Sequence, residues 1–225
     1  MCGGVFLGRC VSLSILRYTN NGSCVGMLVQ SKQVETMLPL LREAVAKLRV
    51  GDPRDASTTT GPVVNRAQFD RVQSYIDIGL KEGARLVCGG LGRPDGLERG
   101  YFVKPTVFAD VTPQMTIAQE EIFGPVLVVI PYETEEEAIE IANGTAYGLG
   151  AYVFSNDVKR AANVARELRA GRVFVNGAAS NHAAPMGGYK RSGNGREMGV
   201  FGLEEYLEVK AMFGVADQLE QAGEK

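Results

Sequence analysis

The 225-residue sequence has a single histidine, His182, and four cysteines, Cys2, Cys10, Cys24 and Cys88, with no Cys-x-x-Cys pair among them. Zinc sites built from these residues draw their ligands in close pairs, so no metal centre is expected. Nor do so few cysteines in so long a chain make a disulfide scaffold, which points to a reducing, cytoplasmic compartment. No apolar run approaches the roughly 18 to 20 residues needed to span a bilayer. Residues 5–16 are mostly apolar but lack the basic stretch and the small-residue cleavage site of a signal peptide, and none is expected. An excess of either charge is also missing. The 24 basic and 26 acidic residues leave a net charge of -2, so neither nucleic acid nor an anionic membrane is expected as a partner. There is no internal repeat, no disordered linker, no Walker loop and no His-Glu-x-x-His.

What is present is a core-forming composition, 45% hydrophobic and 22% charged, with 28 glycines. That glycine content exceeds the roughly 7% of average proteins and implies many tight turns between short elements. Residues 27–30 read as a short strand. Val34, Met37, Leu38, Leu41, Val45 and Leu48 then fall at helical spacing, with Pro39 inside the pattern predicting a kink or restart. Phe69, Val72, Ile76 and Leu80 mark a second helix stopped at Gly83. Strands are predicted at 85–88, where the segment looks buried, and at 101–103, 106–108, 126–130, 151–154 and 172–175. Continuous apolar character over 126–130 suggests burial on both faces. Thr134 and Glu137 form a capping box opening a helix, and Val158, Ala161, Ala162, Ala165 and Leu168 stripe another.

Strands alternating with helices in this way predict an α/β fold, a mostly parallel sheet flanked by helices. Residues 206–213 differ. Leu207, Val209, Ala211 and Phe213 alternate with largely polar neighbours, which predicts a C-terminal strand, either an edge of the same sheet or an edge offered to another subunit.

Four segments concentrate unusual residues. Cys24 follows Asn20-Asn21-Gly22-Ser23, a polar turn that gives a thiol access and, ahead of a helix, a lowered pKa; an inert cysteine is the alternative. In Glu120-Glu121-Ile122-Phe123-Gly124-Pro125 the adjacent carboxylates point apart and make a poor acid/base dyad. One of them aimed at a ligand hydroxyl, or a plain charged loop, both fit. The stretch from Pro185 through Met186, Gly187 and Gly188 to Glu197 is dense in glycine and suits either a structural crossing or a phosphate nest. Within it, Gly193-Asn194-Gly195-Arg196-Glu197-Met198 misses the dinucleotide fingerprint by its third glycine. Asn176 directly follows the 172–175 strand, a position where ligands gather in parallel sheets, or where it could simply bond the next loop.

Taken together, these segments resemble one family. Tyr-Phe-Val-Lys-Pro-Thr-Val-Phe from Tyr101, Glu-Glu-Ile-Phe-Gly-Pro-Val from Glu120, Tyr-Gly-Leu from Tyr147 and Gly-Gly-Tyr-Lys-Arg-Ser-Gly from Gly187 look like the aldehyde dehydrogenase superfamily. They occur in that family's order. The resemblance runs from about Asn20 to Phe213 and covers only the downstream, catalytic portion; the cofactor-binding domain belongs upstream. It implies residues 20–203 as the catalytic domain and 204–213 as an oligomerisation strand, with 1–19 unassigned and 214–225 a tail.

The chemistry it implies is NAD- or NADP-dependent oxidation of an aldehyde to a carboxylic acid through a cysteine thioester. Cys24 is then the nucleophile, Glu121 bonds the nicotinamide ribose and Phe123 packs beside it. Asn176 lies near the pocket, and Met186 replaces an aromatic wall residue. Gly22-Ser23-Cys24-Val25-Gly26-Met27 is shorter than the family's usual stretch around the thiol. A chain lacking the upstream half is expected to be impaired alone, and the alternative is a non-catalytic association module that joins full-length relatives. The resemblance also implies an ion pair between Arg196 and Glu208.

Overall fold

The computed structural model describes residues 14–18, 24–214 and 218. Seven strands make one sheet: β1 (Ser14–Tyr18), β2 (Cys24–Gln30), β3 (Arg85–Cys88), β4 (Thr106–Ala109), β5 (Val126–Tyr132), β6 (Gly150–Phe154) and β7 (Arg172–Val175). Their order is β3-β4-β5-β2-β1-β6-β7. β2, β4, β5, β6 and β7 all run in one direction, while β1 and the edge strand β3 run against it. The sheet is therefore mostly parallel, as predicted. β1 belongs to the N-terminal stretch that carries no family resemblance, yet its backbone joins β2 to β6.

Among the described residues six α-helices accompany the sheet: α1 (Val34–Ala46), α2 (Arg66–Lys81), α3 (Thr116–Gln119), α4 (Glu135–Asn143), α5 (Val158–Glu167) and α6 (Gly199–Glu204). Side chains of a strand alternate between faces, and the two packed clusters follow that alternation. Leu28, Val128 and Ile130 meet Val72 and Ile76 of α2, Ile117 of α3, Ala138 of α4 and Val164 of α5 on one face. Met27, Val29 and Val129 meet Val34, Met37, Leu38 and Leu41 of α1 on the other. β5 thus sits in the middle with both faces covered, which explains its uninterrupted apolar run. Leu28, Ile76, Phe108, Ile117 and Ile130 are fully buried, each contributing about 1.5–3 kcal/mol relative to exposure.

The helix ends are set by local chemistry. Asn65 accepts from the Gln68 amide at 2.9 Å and Asp157 from the Arg160 amide at 3.0 Å, each satisfying an otherwise unpaired first-turn donor. Thr134 accepts from Glu137 N at 3.2 Å. Glu137 reaches back one residue further than the usual box, accepting from Glu133 N at 2.7 Å.

Two expectations are corrected, the buried strand at 85–88 and the strand at 101–103, and two others are narrowed. α1 runs as one helix through Pro39, whose ring lies on the exposed side, so the Glu35 carbonyl that loses its donor can be solvated by water. β3 is a half-exposed edge, not a buried strand. Residues 101–103 form no strand; they pass as irregular chain into β4, with Tyr101 O accepting from Val63 N at 3.0 Å. Residues 206–213 have no ladder partner among the described residues, so they are not an edge of this sheet, and they lie exposed, Val209 at 98% and Phe213 at 92%. A period-two pattern forms a strand only when another edge supplies the hydrogen bonds. No helix among the described residues is long and apolar enough to cross a membrane.

Candidate active site

Three of the five proposed site residues gather at one end of the sheet. β2 and β5 are parallel neighbours with Gly26 opposite Val128, so the start of β2 and the loop feeding β5 share an edge. Cys24 is the first residue of β2, its backbone paired with Tyr18. It opens a strand, and not a helix as the reading of a turn ahead of a helix required. Residues 19–23, the polar turn itself, lie outside the described residues, as does the Cys24 side chain. Glu121 and Phe123 occupy the loop between α3 and β5.

That loop is held residue by residue from one face of α2. Tyr75 Oη donates to Glu120 Oε2 at 2.6 Å. Arg71 Nη2 donates to the Glu121 carbonyl at 2.9 Å and to Tyr75 Oη at 2.9 Å. Gln68 Nε2 donates to the carbonyls of Ile122 at 2.9 Å and Phe123 at 3.0 Å. Gly124 packs against Val72, so that a Cβ there would lie 2.6 Å from Val72 Cγ2. Burial, with the Glu120 hydrogen bond second, pushes the Tyr75 hydroxyl above its ordinary pKa of 10.0.

The two adjacent glutamates therefore separate. Glu120 is engaged by Tyr75, whereas Glu121 is 8% exposed and its Oε1 is buried with no hydrogen-bond partner. An unpaired buried carboxylate oxygen is costly and calls for a donor that none of the described residues supplies. Phe123 has φ 57°, a conformation a bulky residue seldom adopts, and its ring is 40% exposed. A buried acceptor beside an exposed aromatic fits the ribose hydroxyls and flat ring of a nicotinamide nucleotide.

Met186 reaches the same end by another route. It exchanges two hydrogen bonds with Glu197, both 2.7 Å, forming a narrow bridge at the base of the glycine-rich loop. Tyr189 N donates to Gly148 O at 2.9 Å, and Lys190 Nζ donates to the Asn143 and Thr145 carbonyls at 2.6 and 2.9 Å. The loop is thereby tied beside the start of β6. Gly26, Gln119, Glu120, Asn143, Thr145 and Gly148 surround a cavity of about 30 Å³, room for about one water. On the outer face, Met186 joins Tyr152, Arg172, Phe174 and Arg196 around a cleft of about 780 Å³, the size of a small-molecule site.

Asn176 stands apart. β7 runs parallel to β2, so the residue after its last member lies at the opposite end of the sheet from Cys24. Both amide atoms are engaged: Oδ1 accepts from Ser155 N and Nδ2 donates to Ser155 O, each at 2.9 Å. The predicted pair between Arg196 and Glu208 is not formed. Arg196 Nη1 instead donates to the carbonyls of Gly188, Asn194 and Gly195 at 3.0, 3.2 and 2.9 Å. Its guanidinium lies 5.5 Å from the Tyr189 ring centroid, and Glu208 is exposed. Cys88 is a free thiol whose pKa is pushed up by burial, the wrong direction for a nucleophile.

Comparison with known proteins decides the ancestry of this arrangement. The sequence profile of the aldehyde dehydrogenase family matches residues 22–212. The chain belongs to the aldehyde dehydrogenase family. It is 53% identical over 188 residues to a 3-succinoylsemialdehyde-pyridine dehydrogenase of Pseudomonas sp, covering 84% of this chain and 39% of that relative. Among solved structures, a cysteine-to-alanine mutant of aldehyde dehydrogenase C from Pseudomonas syringae, complexed with NAD+ and octanal, matches with TM-score 0.83 and 51% identity. The match covers 84% of this chain and 39% of that one. A Mycobacterium tuberculosis aldehyde dehydrogenase complexed with NAD+ matches with TM-score 0.80 and 45% identity over 84% of this chain and 40% of that one. The chain thus spans about two-fifths of the length of the relatives it matches. β1 falls outside the stretch that the family profile covers.

Gln68, Arg71 and Tyr75 escaped the sequence reading. Their signal was present as a polar stripe at spacings of three and four beside the apolar stripe Phe69, Val72 and Ile76. Nothing in the sequence said what that stripe faced.

Proposed function

We propose that this chain carries the thiol-bearing part of an NAD- or NADP-dependent aldehyde dehydrogenase that converts an aldehyde to a carboxylic acid. The observation that carries this reading is Glu121: a buried carboxylate with an unpartnered oxygen, in the loop that shares a sheet edge with the start of the Cys24 strand. Cys24 supplies the thiol that adds to the aldehyde carbon and then holds the acyl group as a thioester until water releases the acid. A bound nicotinamide dinucleotide supplies the hydride acceptor. Glu121 accepts hydrogen bonds from its ribose hydroxyls, and Phe123 places a flat apolar surface beside them. Met186 forms part of the wall toward the outer cleft.

Relatives are more than twice as long, and turnover by this chain alone is expected to be weak or absent. The purified chain is mixed with an aldehyde and NAD+ or NADP+, and absorbance of the reduced nicotinamide is followed; robust turnover removed by Cys24→Ser would overturn the claim of impairment. Binding of nicotinamide mononucleotide, detected by saturation-transfer NMR, tests the Glu121 assignment directly. Glu121→Gln is expected to weaken that binding, because an amide presents one acceptor oxygen where the carboxyl group of Glu121 presents two. Unchanged binding sinks the assignment.

A second reading draws on the exposed segment 206–213. Tyr206, Val209, Met212 and Phe213 present apolar surface that no described residue covers, which favours association with a second copy or with a full-length relative. Light scattering on the chain alone and co-elution with a full-length relative test it. A strictly monomeric chain that passes the relative unbound ends this alternative.

A further inference from the structure

The loop carrying Glu121 and Phe123 has no regular secondary structure between α3 and β5, so its shape must be imposed from outside. Phe123 at φ 57° is the sharpest sign of that imposition. A left-handed conformation in a bulky residue persists only when its surroundings over-determine it. Glycine or asparagine would adopt it more easily, but neither offers an aromatic ring.

The restraint comes from Gln68. Its backbone is fixed by the N-cap, since Gln68 N donates to Asn65 Oδ1 at 2.9 Å. Its side-chain amide then donates to two successive carbonyls, Ile122 at 2.9 Å and Phe123 at 3.0 Å. Two consecutive carbonyls aimed at one amide group require the chain to turn sharply between them, which is the turn that a positive φ at Phe123 provides. Arg71 holds the preceding carbonyl, that of Glu121, at 2.9 Å. Side-chain donors from successive turns of α2 thus hold three carbonyls in a row.

We infer that Gln68 is a positioning residue: by clamping the carbonyls of Ile122 and Phe123 it fixes the direction of the Phe123 ring and of the neighbouring Glu121 carboxylate. The inference rests on the proposed nucleotide role of that loop for its functional meaning, but its geometry stands independently. Gln68 touches neither reactant; it acts through the two backbone carbonyls. Its closest chemical substitutes divide cleanly. Methionine keeps the length and loses both donors, whereas lysine keeps a donor at similar reach.

The test uses the full chain with Gln68→Met, Gln68→Lys and Glu121→Gln, and nicotinamide mononucleotide as the probe. Amide exchange across residues 120–126 and the melting temperature are recorded for each. In Gln68→Met, exchange in the loop is expected to accelerate about tenfold and probe binding to weaken, with α2 and the melting temperature little changed. Gln68→Lys is expected to restore slow exchange. If Glu121→Gln weakens the probe but Gln68→Met alters neither exchange nor binding, the positioning role is overturned while the nucleotide reading survives. If no probe binds any of the proteins, the nucleotide reading fails, and exchange alone decides the clamp: acceleration confined to residues 120–126 supports it. Unaltered exchange, or acceleration spread across the whole sheet, overturns it.

Discussion

Two loops meet at the same end of the sheet and are built by different means. The 120–125 loop is held by side chains: Tyr75, Arg71 and Gln68 each spend a donor on it. The 185–197 loop adds to the side-chain donors of Lys190 and Arg196 a direct contact of backbone with backbone. A Cβ on Gly171 would lie 1.8 Å from the Gly187 carbonyl oxygen, so the close approach exists only because residue 171 has no side chain. The first design tolerates adjustment, since a side chain can change rotamer. The second tolerates almost none, since a carbonyl can move only by moving its chain. A loop reached by side chains keeps adjustable contacts, and one pressed backbone to backbone keeps a rigid one.

The difference can be broken most severely at Gly171. Gly171→Ala drives a methyl group into backbone and is expected to cost about 3 kcal/mol or more, read as a large fall in urea midpoint or failure to fold. Gly124→Ala meets the side chain of Val72 instead, and the expected loss is smaller, about 1–2 kcal/mol. Because that neighbour can give, Val72→Ala combined with Gly124→Ala should be more stable than the sum of the two single losses predicts. An additive outcome would show that the contact is not what makes Gly124 necessary.

A smaller effect is expected at Tyr75. Tyr75→Phe removes the hydrogen bond to Glu120 and should cost about 1 kcal/mol near neutral pH. The folded-state pKa of Tyr75 is raised above 10.0, so in the unfolded chain the hydroxyl ionises first. The stability it contributes is complete below pH 10 and is lost as pH rises through the folded value. The parent should thus lose stability above pH 10 more steeply than Tyr75→Phe, as measured by denaturant melts at pH 9 and pH 11. Parallel curves would remove Tyr75 as the cause. The smallest effect is at Glu208, which is exposed and forms no pair with Arg196. Glu208→Ala should change the stability of the isolated chain by less than about 0.5 kcal/mol; a larger loss would mean that 206–213 is engaged.

Much of this molecule was legible in its sequence. The stripes Phe69, Val72, Ile76 and Val34, Met37, Leu38, Leu41 fall on α2 and α1, because amphipathic periodicity is dictated by which face meets a sheet. The misreadings share one cause. At residues 101–103 a local pattern was compatible with a strand, but a strand needs a partner edge, which is a property of the fold and not of the segment. Arg196 likewise had a suitable anion in the sequence, but three carbonyls lay closer in space.

The order of short elements, the covering of β5 on both faces and the family of the chain were determined by the sequence alone, because they follow from periodicity and from motif order. Which of the two adjacent glutamates is free was decided only by the tertiary structure. That depends on a tyrosine 45 residues earlier in the chain reaching one carboxylate and not the other. The grouping of Cys24, Glu121 and Met186, with Asn176 left at the far end, was decided there too, since strand order and direction set which ends of the elements come together.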